Sequence, residues 1–317
     1  MGILPPLNTK LQSLIMLDSL AKAISFILVI GLGYFLKKIG KLHPNDFAIL
    51  SRVVMLVTLP CALLTNLNGT PVDITCLYVF LLGMGCNVAT IVVGWFMTRG
   101  RRNGTRVFSM LNLSGFSIGL FAMPYVQQFL PPEGFLTVCI FDGGNAMLCT
   151  GLTFAALTKL YPCGPGKMKI PFFRTVFSSL PIWCYIVIIV LGITGLSLPH
   201  YVINFTKIAG DANPFLCMLM IGVVLELHLD HSRFRRLLYH LAARYAVIIP
   251  LAFLFYFLLP FAPEIRLALS VILFAPVASI NLVFTMHVHG DMVLAANIST
   301  ATTIISILAM TIILTVV

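Results

Sequence analysis

Charge is what this sequence has least of. Asp, Glu, Lys and Arg make up 9% of its 317 residues, against roughly 25% in soluble domains, and that shortage excludes a soluble domain of any size. An apolar share of 59% and a mean hydropathy of +1.03 identify an integral membrane protein instead. Cys-x-x-Cys pairs are missing as well. The eight cysteines (Cys61, Cys76, Cys86, Cys139, Cys149, Cys163, Cys184 and Cys217) stand singly and mostly inside apolar runs, so they read as buried thiols and neither as a zinc site nor as a disulfide framework. His-Glu-x-x-His, Gly-x-Ser-x-Gly and paired catalytic aspartates are also missing, which argues against an intramembrane enzyme; no metal or cofactor is expected. The first apolar run, from about Ser19, has no small-residue cleavage site and reads as a retained span.

What is present is a series of apolar runs of about twenty residues, each able to cross a hydrocarbon core of roughly 30 Å as a helix. Ten spans are expected, at about 19–36, 47–66, 74–98, 106–130, 135–159, 172–192, 208–228, 237–259, 265–287 and 291–316. The net charge of +10 does not point to nucleic acid, because the basic residues gather at the ends of these runs. Sixteen of the 20 Lys and Arg fall within 37–52, 99–106, 159–174 and 233–244, Arg244 among them; the remainder are Lys10, Lys22, Lys207 and Arg266. Cytoplasmic loops are enriched in Lys and Arg. These alternate loops are therefore expected inside, with both termini outside a plasma or inner membrane.

Four basic residues at every other loop is also the rhythm of a duplicated chain. The ten spans divide into five plus five about "YPCGPGKMKIP", Tyr161–Pro171, and an odd number per half inverts the second copy. Inverted repeats recur in secondary transporters, with the substrate held at mid-membrane where corresponding helices are interrupted. Spans four and nine both carry interruptions. The fourth reads "NLSGFSIGLFAMPYV", Asn112–Val126, with Gly115 and Gly119 ahead of Pro124; the ninth reads "SVILFAPVASINLVF", Ser270–Phe284, with Pro276 ahead of Ser279 and Asn281. The depths differ: Pro124 lies 18 residues beyond Arg106 and Pro276 only 10 beyond Arg266, so Gly115 or Gly119 is an alternative start for the first interruption. Pro60 and Pro214 form a further, weaker pair in spans two and seven.

Four segments, "TLPCALL" (Thr58–Leu64), "GFSIGLFAMP" (Gly115–Pro124), "FDGGNAM" (Phe141–Met147) and "APVASIN" (Ala275–Asn281), resemble the auxin efflux carrier family, which includes PIN-type auxin carriers and bacterial malonate and malate permeases. The likeness runs over nearly the whole chain. It implies an all-α membrane fold of ten transmembrane helices in two inverted five-helix repeats, with helices four and nine broken and crossing near their prolines. Residues 1–72 and 163–232 would form a scaffold and a homodimer surface, and 73–162 and 233–317 a mobile transport domain. A small organic anion would sit at the crossing. One position departs from the pattern: relatives often carry Asn seven residues before the first proline, where this chain has Ser117.

A broken helix exposes unpaired N–H groups and a positive dipole end in a low-dielectric region, which suits a carboxylate. Pro276 alone reads equally as an ordinary kink; its pairing with Pro124 favours a site. The substrate-binding candidates are Asn112, Ser117, Gly119, Pro124, Asp142, Asn145, Pro276, Ser279 and Asn281. Asn281 leads them because it lies just past the break, although it and Ser279 could equally bond a neighbouring helix. Asp142 stands inside span five, where a carboxylate costs about 2.5–3.5 kcal/mol. It reads either as a carrier of a coupling proton or as a structural acid, and Gly143 and Gly144 beside it allow close backbone approach. "HVHGD", His287–Asp291, reads as an interfacial helix end. The expected function is a secondary transporter of a small organic anion, working by an elevator-like movement, with coupling to a proton or sodium left open. A membrane sensor that binds such an anion without moving it, and a sodium-coupled carrier of the bile-acid type, are the alternatives.

Overall fold

The computed structural model describes residues 9–163, 180–225 and 231–316, and every regular element among them is a helix. The chain runs through α1 (Thr9–Lys38), α2 (Asp46–Val53), α3 (Leu59–Asn66), α4 (Thr75–Met97), α5 (Asn103–Leu113), α6 (Met123–Val126), α7 (Pro132–Met147) and α8 (Thr153–Leu160). It continues through α9 (Leu180–Thr194), α10 (His200–Asp211), α11 (Asn213–Val224), α12 (His231–Leu258), α13 (Pro263–Ile272), α14 (Ile280–His287) and α15 (Met292–Val316). Single π-helical turns at Val54–Thr58 and Leu148–Leu152 join α2 to α3 and α7 to α8.

Among the described residues, seven helical runs are long and apolar enough to cross a membrane: Leu20–Lys38, Asp46–Asn66, Thr75–Met97, Asn103–Val126, His200–Val224, Arg233–Leu258 and Met292–Thr315; Leu180–Thr194 is a shorter apolar helix. Their outer faces carry exposed Leu28, Phe253 and Ile312, as lipid-facing surfaces do. The chain is thus an all-α, multi-pass membrane protein. Most of Tyr161–Pro171, on which the sequence divides, lies outside the described residues, as do Lys167, Lys169, Arg174 and the start of the sixth expected span.

Small residues set the closest helix contacts, since lipid offers no hydrophobic drive and packing must come from proximity. A Cβ on Gly222 would lie 2.1 Å from the carbonyl oxygen of Ile30, and one on Gly144 would lie 2.1 Å from that of Phe80. Only glycine therefore lets α1 meet α11, and α4 meet α7, at backbone distance. The proline pair in spans two and seven is also joined. Thr58 Oγ1 donates to Asn213 Oδ1 at 2.9 Å, immediately before Pro60 and Pro214 in the first turns of α3 and α11.

Away from these contacts, Asp291 ties two helices together. Its carboxylate accepts the Leu294 N–H at 3.1 Å, capping α15, and takes Arg233 Nε at 3.1 Å and Arg236 Nη1 at 3.0 Å from α12. Partial burial alone would raise its pKa. The Leu294 N–H and the Arg233 and Arg236 guanidiniums outweigh that and hold it below the ordinary 3.8. Because the folded-state value is the lower one, the stabilisation is present at neutral pH and is lost as pH falls through that lowered value. Asp291→Ala is expected to lower stability by about 1–2 kcal/mol at neutral pH and by much less in acid of about pH 2. Thermal unfolding of the detergent-solubilised protein at both pH values measures this, and equal midpoints at neutral pH would refute the role.

Candidate functional site

Helix α5 stops because its next residues cannot continue it. Ser114 is extended (φ −87, ψ 165), Gly115 is left-handed (φ +80), and Ser117 is again non-helical (ψ 77) before a π-helical turn at Ile118–Ala122 leads into α6. A side chain at Gly115 would be strained by that φ, and its Cβ would stand 2.9 Å from both Ala278 Cβ and Cys149 Sγ. The second break runs through 273–279, between α13 and α14, and contains Pro276. The two breaks touch directly, with the Ser117 N–H donating to the Pro276 carbonyl at 2.8 Å. The first break falls at Ser114–Ser117, and Pro124 lies beyond it, buried in the first turn of α6.

Unwinding two helices inside a membrane frees carbonyls that have no water to bond, so each needs a partner from elsewhere. Arg244, on α12 and 1% exposed, serves three of them. Its Nη1 donates to Leu113 O at 2.6 Å, and its Nη2 to Gly115 O at 3.2 Å and Ala275 O at 3.0 Å, so one guanidinium holds both breaks. The guanidinium also lies over the Phe116 ring, 4.9 Å from its centre, a favourable cation–π placement. Asn281 Nδ2 donates to Leu111 O at 2.7 Å and Ser114 O at 2.9 Å, and Ser306 Oγ bonds the Phe274 carbonyl. The Val277 N–H finds Thr302 Oγ1 at 3.3 Å.

Behind the first break, α4 and α7 contribute a pair of amides. Asn145 Nδ2 donates to Phe116 O at 2.9 Å and its Oδ1 accepts the Phe116 N–H at 3.1 Å, while Asn87 Oδ1 accepts the Gly115 N–H at 2.9 Å. Asn87 Nδ2 joins Asn145 Oδ1 at 3.1 Å. Asn145 also reaches Asp142 Oδ1 at 3.0 Å, and the Tyr185 hydroxyl of α9 donates to Asp142 Oδ2 at 3.1 Å. Gly119 faces this carboxylate: a Cβ there would lie 3.6 Å from Asp142 Oδ2.

On the opposite side the breaks open into a small cavity of ≈ 60 Å³. Ser117, Pro276 and Ser279 line it from the breaks, Met220 and Ile221 from α11, and Ser299 and Thr300 from α15. The hydroxyls of Ser117, Ser279, Ser299 and Thr300 bond no other group among the described residues. The space admits a few waters and falls far short of the roughly 300 Å³ at which pockets for larger ligands begin.

The sequence candidates thus divide. Ser117, Pro276 and Ser279 face the cavity. Asn281 and Asn145 spend their amides on the freed backbone, Asn112 Nδ2 bonds Thr285 Oγ1 at 2.9 Å across α5 and α14, and Asp142 sits behind the break with Gly119. Arg244 was missed as a site residue. Sequence position groups it with the loop arginines, yet it lies inside a membrane helix. That placement is itself a signal, because an arginine well within an expected span requires a partner. Asn87, Tyr185, Ser299 and Thr300 carried no such signal.

No acidic side chain bonds Arg244 among the described residues; three carbonyls and the face of Phe116 surround its charge, while the Asp142 carboxylate is held by Asn145 and Tyr185. Arg244→Ala would orphan three buried carbonyls and is expected to cost at least about 3 kcal/mol. Asn281→Ala orphans two, for about 2 kcal/mol. Unfolding midpoints in detergent test both; an unchanged midpoint for Arg244→Ala would show that the carbonyls find other partners.

No family model matches the chain. Over 224 residues it is 25% identical to a protein of Methanothermobacter thermautotrophicus described as an uncharacterized transporter, an alignment that covers 69% of this chain and 72% of that one. Together with the apolar all-helical architecture, this similarity points to a membrane transporter.

Proposed function

We propose that the protein is a secondary transporter of a small organic anion, a carboxylate by preference, held where the two broken helices cross. The observation that carries this reading is Arg244: a buried guanidinium at the crossing with no acidic partner among the described residues. A charge with no carboxylate bonded to it attracts an anion more strongly in a low-dielectric setting than in water. The four free hydroxyls on the cavity side, Ser117, Ser279, Ser299 and Thr300, are donors that a carboxylate accepts well.

We further read the helices as ten crossings in two inverted halves, with the basic loops inside and both termini outside. α1–α3 and α9–α11 act as a scaffold, and α4–α8 and α12–α15 as the moving body. Two features support this division. The cavity lies between the groups, with Met220 and Ile221 on one side and Ser117, Pro276 and Ser299 on the other. Side-chain hydrogen bonds between the groups are few among the described residues: Tyr185 to Asp142 at 3.1 Å, its weak contact with Met123 Sδ at 4.0 Å, and Lys22 Nζ to Gln128 O at 3.5 Å. A boundary with few directional bonds suits sliding. Displacement would break the Tyr185–Asp142 bond, which makes Asp142 the group through which a coupling proton would act.

Counterflow in proteoliposomes tests the reading with a panel of small mono- and dicarboxylates. Saturable exchange of at least one is expected, and Ser117→Ala with Ser279→Ala should raise the half-saturating concentration about tenfold without lowering the unfolding midpoint. Binding without exchange would identify a sensor. No saturable exchange and no binding across the panel would sink the proposal.

A further inference from the structure

Away from the crossing, a crevice of ≈ 910 Å³ opens where the end of α4, the loop after it and the start of α5 meet α12. Its basic groups are Arg101, Arg235 and Arg236, and no Asp or Glu lines it among the described residues. Arg236 already serves Asp291 at 3.0 Å. Arg101 and Arg235 make no side-chain hydrogen bond or ion pair among the described residues. The floor is polar and ordered: Ser109 Oγ lies 3.1 Å from His240 Nε2, and His240 Nδ1 lies 2.7 Å from Arg236 O. The wall is different. Leu238 and Tyr239, 48% and 57% exposed, continue from the crevice onto the outer surface of α12, which faces lipid.

A mouth with two arginines unpaired among the described residues, set at the basic end of a membrane bundle and running directly into an apolar exposed wall, is complementary to an amphiphile with an anionic head. A soluble anion would use the arginines and leave the wall idle. A zwitterionic lipid would bring a second, cationic group toward the two unpaired guanidiniums. We infer that the crevice binds an anionic glycerophospholipid, with its phosphate between Arg101 and Arg235 and its acyl chains along Leu238 and Tyr239. The volume suits a headgroup with its glycerol. The bound lipid would clamp the start of α5 to α12, helices that respectively end in the first break and supply Arg244. This inference rests on the chain being a membrane protein and not on the proposed substrate.

The test is a titration of the purified full-length protein with phosphatidylglycerol or phosphatidylcholine of identical acyl chains, read by native mass spectrometry and by unfolding midpoint. Phosphatidylglycerol is expected to bind and raise the midpoint while phosphatidylcholine does neither. Arg101→Gln with Arg235→Gln, both exposed positions, should weaken the binding about 30-fold while leaving the lipid-free midpoint unchanged. A control of equal charge loss at another basic loop, Lys38→Gln with Lys41→Gln, should retain it. Equal loss in the two double variants, equal binding of the two lipids, or reproduction of the midpoint shift by glycerol phosphate alone would each overturn the assignment.

Discussion

Two helices are unwound inside a region where a bare carbonyl costs several kcal/mol, and Arg244 bonds Leu113 and Gly115 of one break and Ala275 of the other. Arginine suits this task as lysine would not, because its planar fork presents several donors in fixed directions at once. Carbonyl dipoles and the Phe116 ring solvate the charge without an ion pair, so the element that holds the crossing together also brings a guanidinium into it.

Polar groups at the crossing fall into two sets by what they touch. Asn281, Asn145 and Asn87 face the backbone of the breaks and are spent on it. Ser117, Ser279, Ser299 and Thr300 face the cavity and bond nothing else among the described residues. Amides, which donate and accept at once, match a peptide unit in both directions, as Asn145 does with both the N–H and the carbonyl of Phe116. Hydroxyls rotate and can follow a ligand. Hydroxyls serve the backbone as well, as Ser306 and Thr302 do at the second break, but the four that line the cavity are left free among the described residues.

Much of this was legible in the sequence and some was not, for definable reasons. The all-helical membrane class follows from apolar runs and scarce charge, and the two interruptions follow from Gly115 and Pro276, whose backbone effects are local. The depth of the first break was ambiguous because Pro124 is the more conspicuous residue. Proline in a first helical turn starts a helix as readily as it ends one, and the break proves to lie at Ser114–Ser117. Asn281 was placed at the crossing, but which way its amide points depends on Leu111 and Ser114, about 170 positions away. Tyr185, the partner of Asp142, is equally a matter of packing and not of pattern.

The arginines show the same limit and what resolves it. By sequence, Arg101, Arg235, Arg236 and Arg244 belong to one class of charges that orient the chain in its membrane. In the structure, the first two have no protein partner among the described residues, the third is held by Asp291, and the last is sealed among carbonyls. Their environments assign them different chemistry: an exposed charge at a lipid-facing crevice is available to a headgroup, while a buried one organises the backbone around it. Helix α5 links the two situations. It runs eleven residues from Asn103 to Leu113, about 16 Å at 1.5 Å per residue, with the crevice at its start and Arg244 at its end. One helix thus spans from the crevice to the crossing, although among the described residues no side chain lines both the crevice and the cavity.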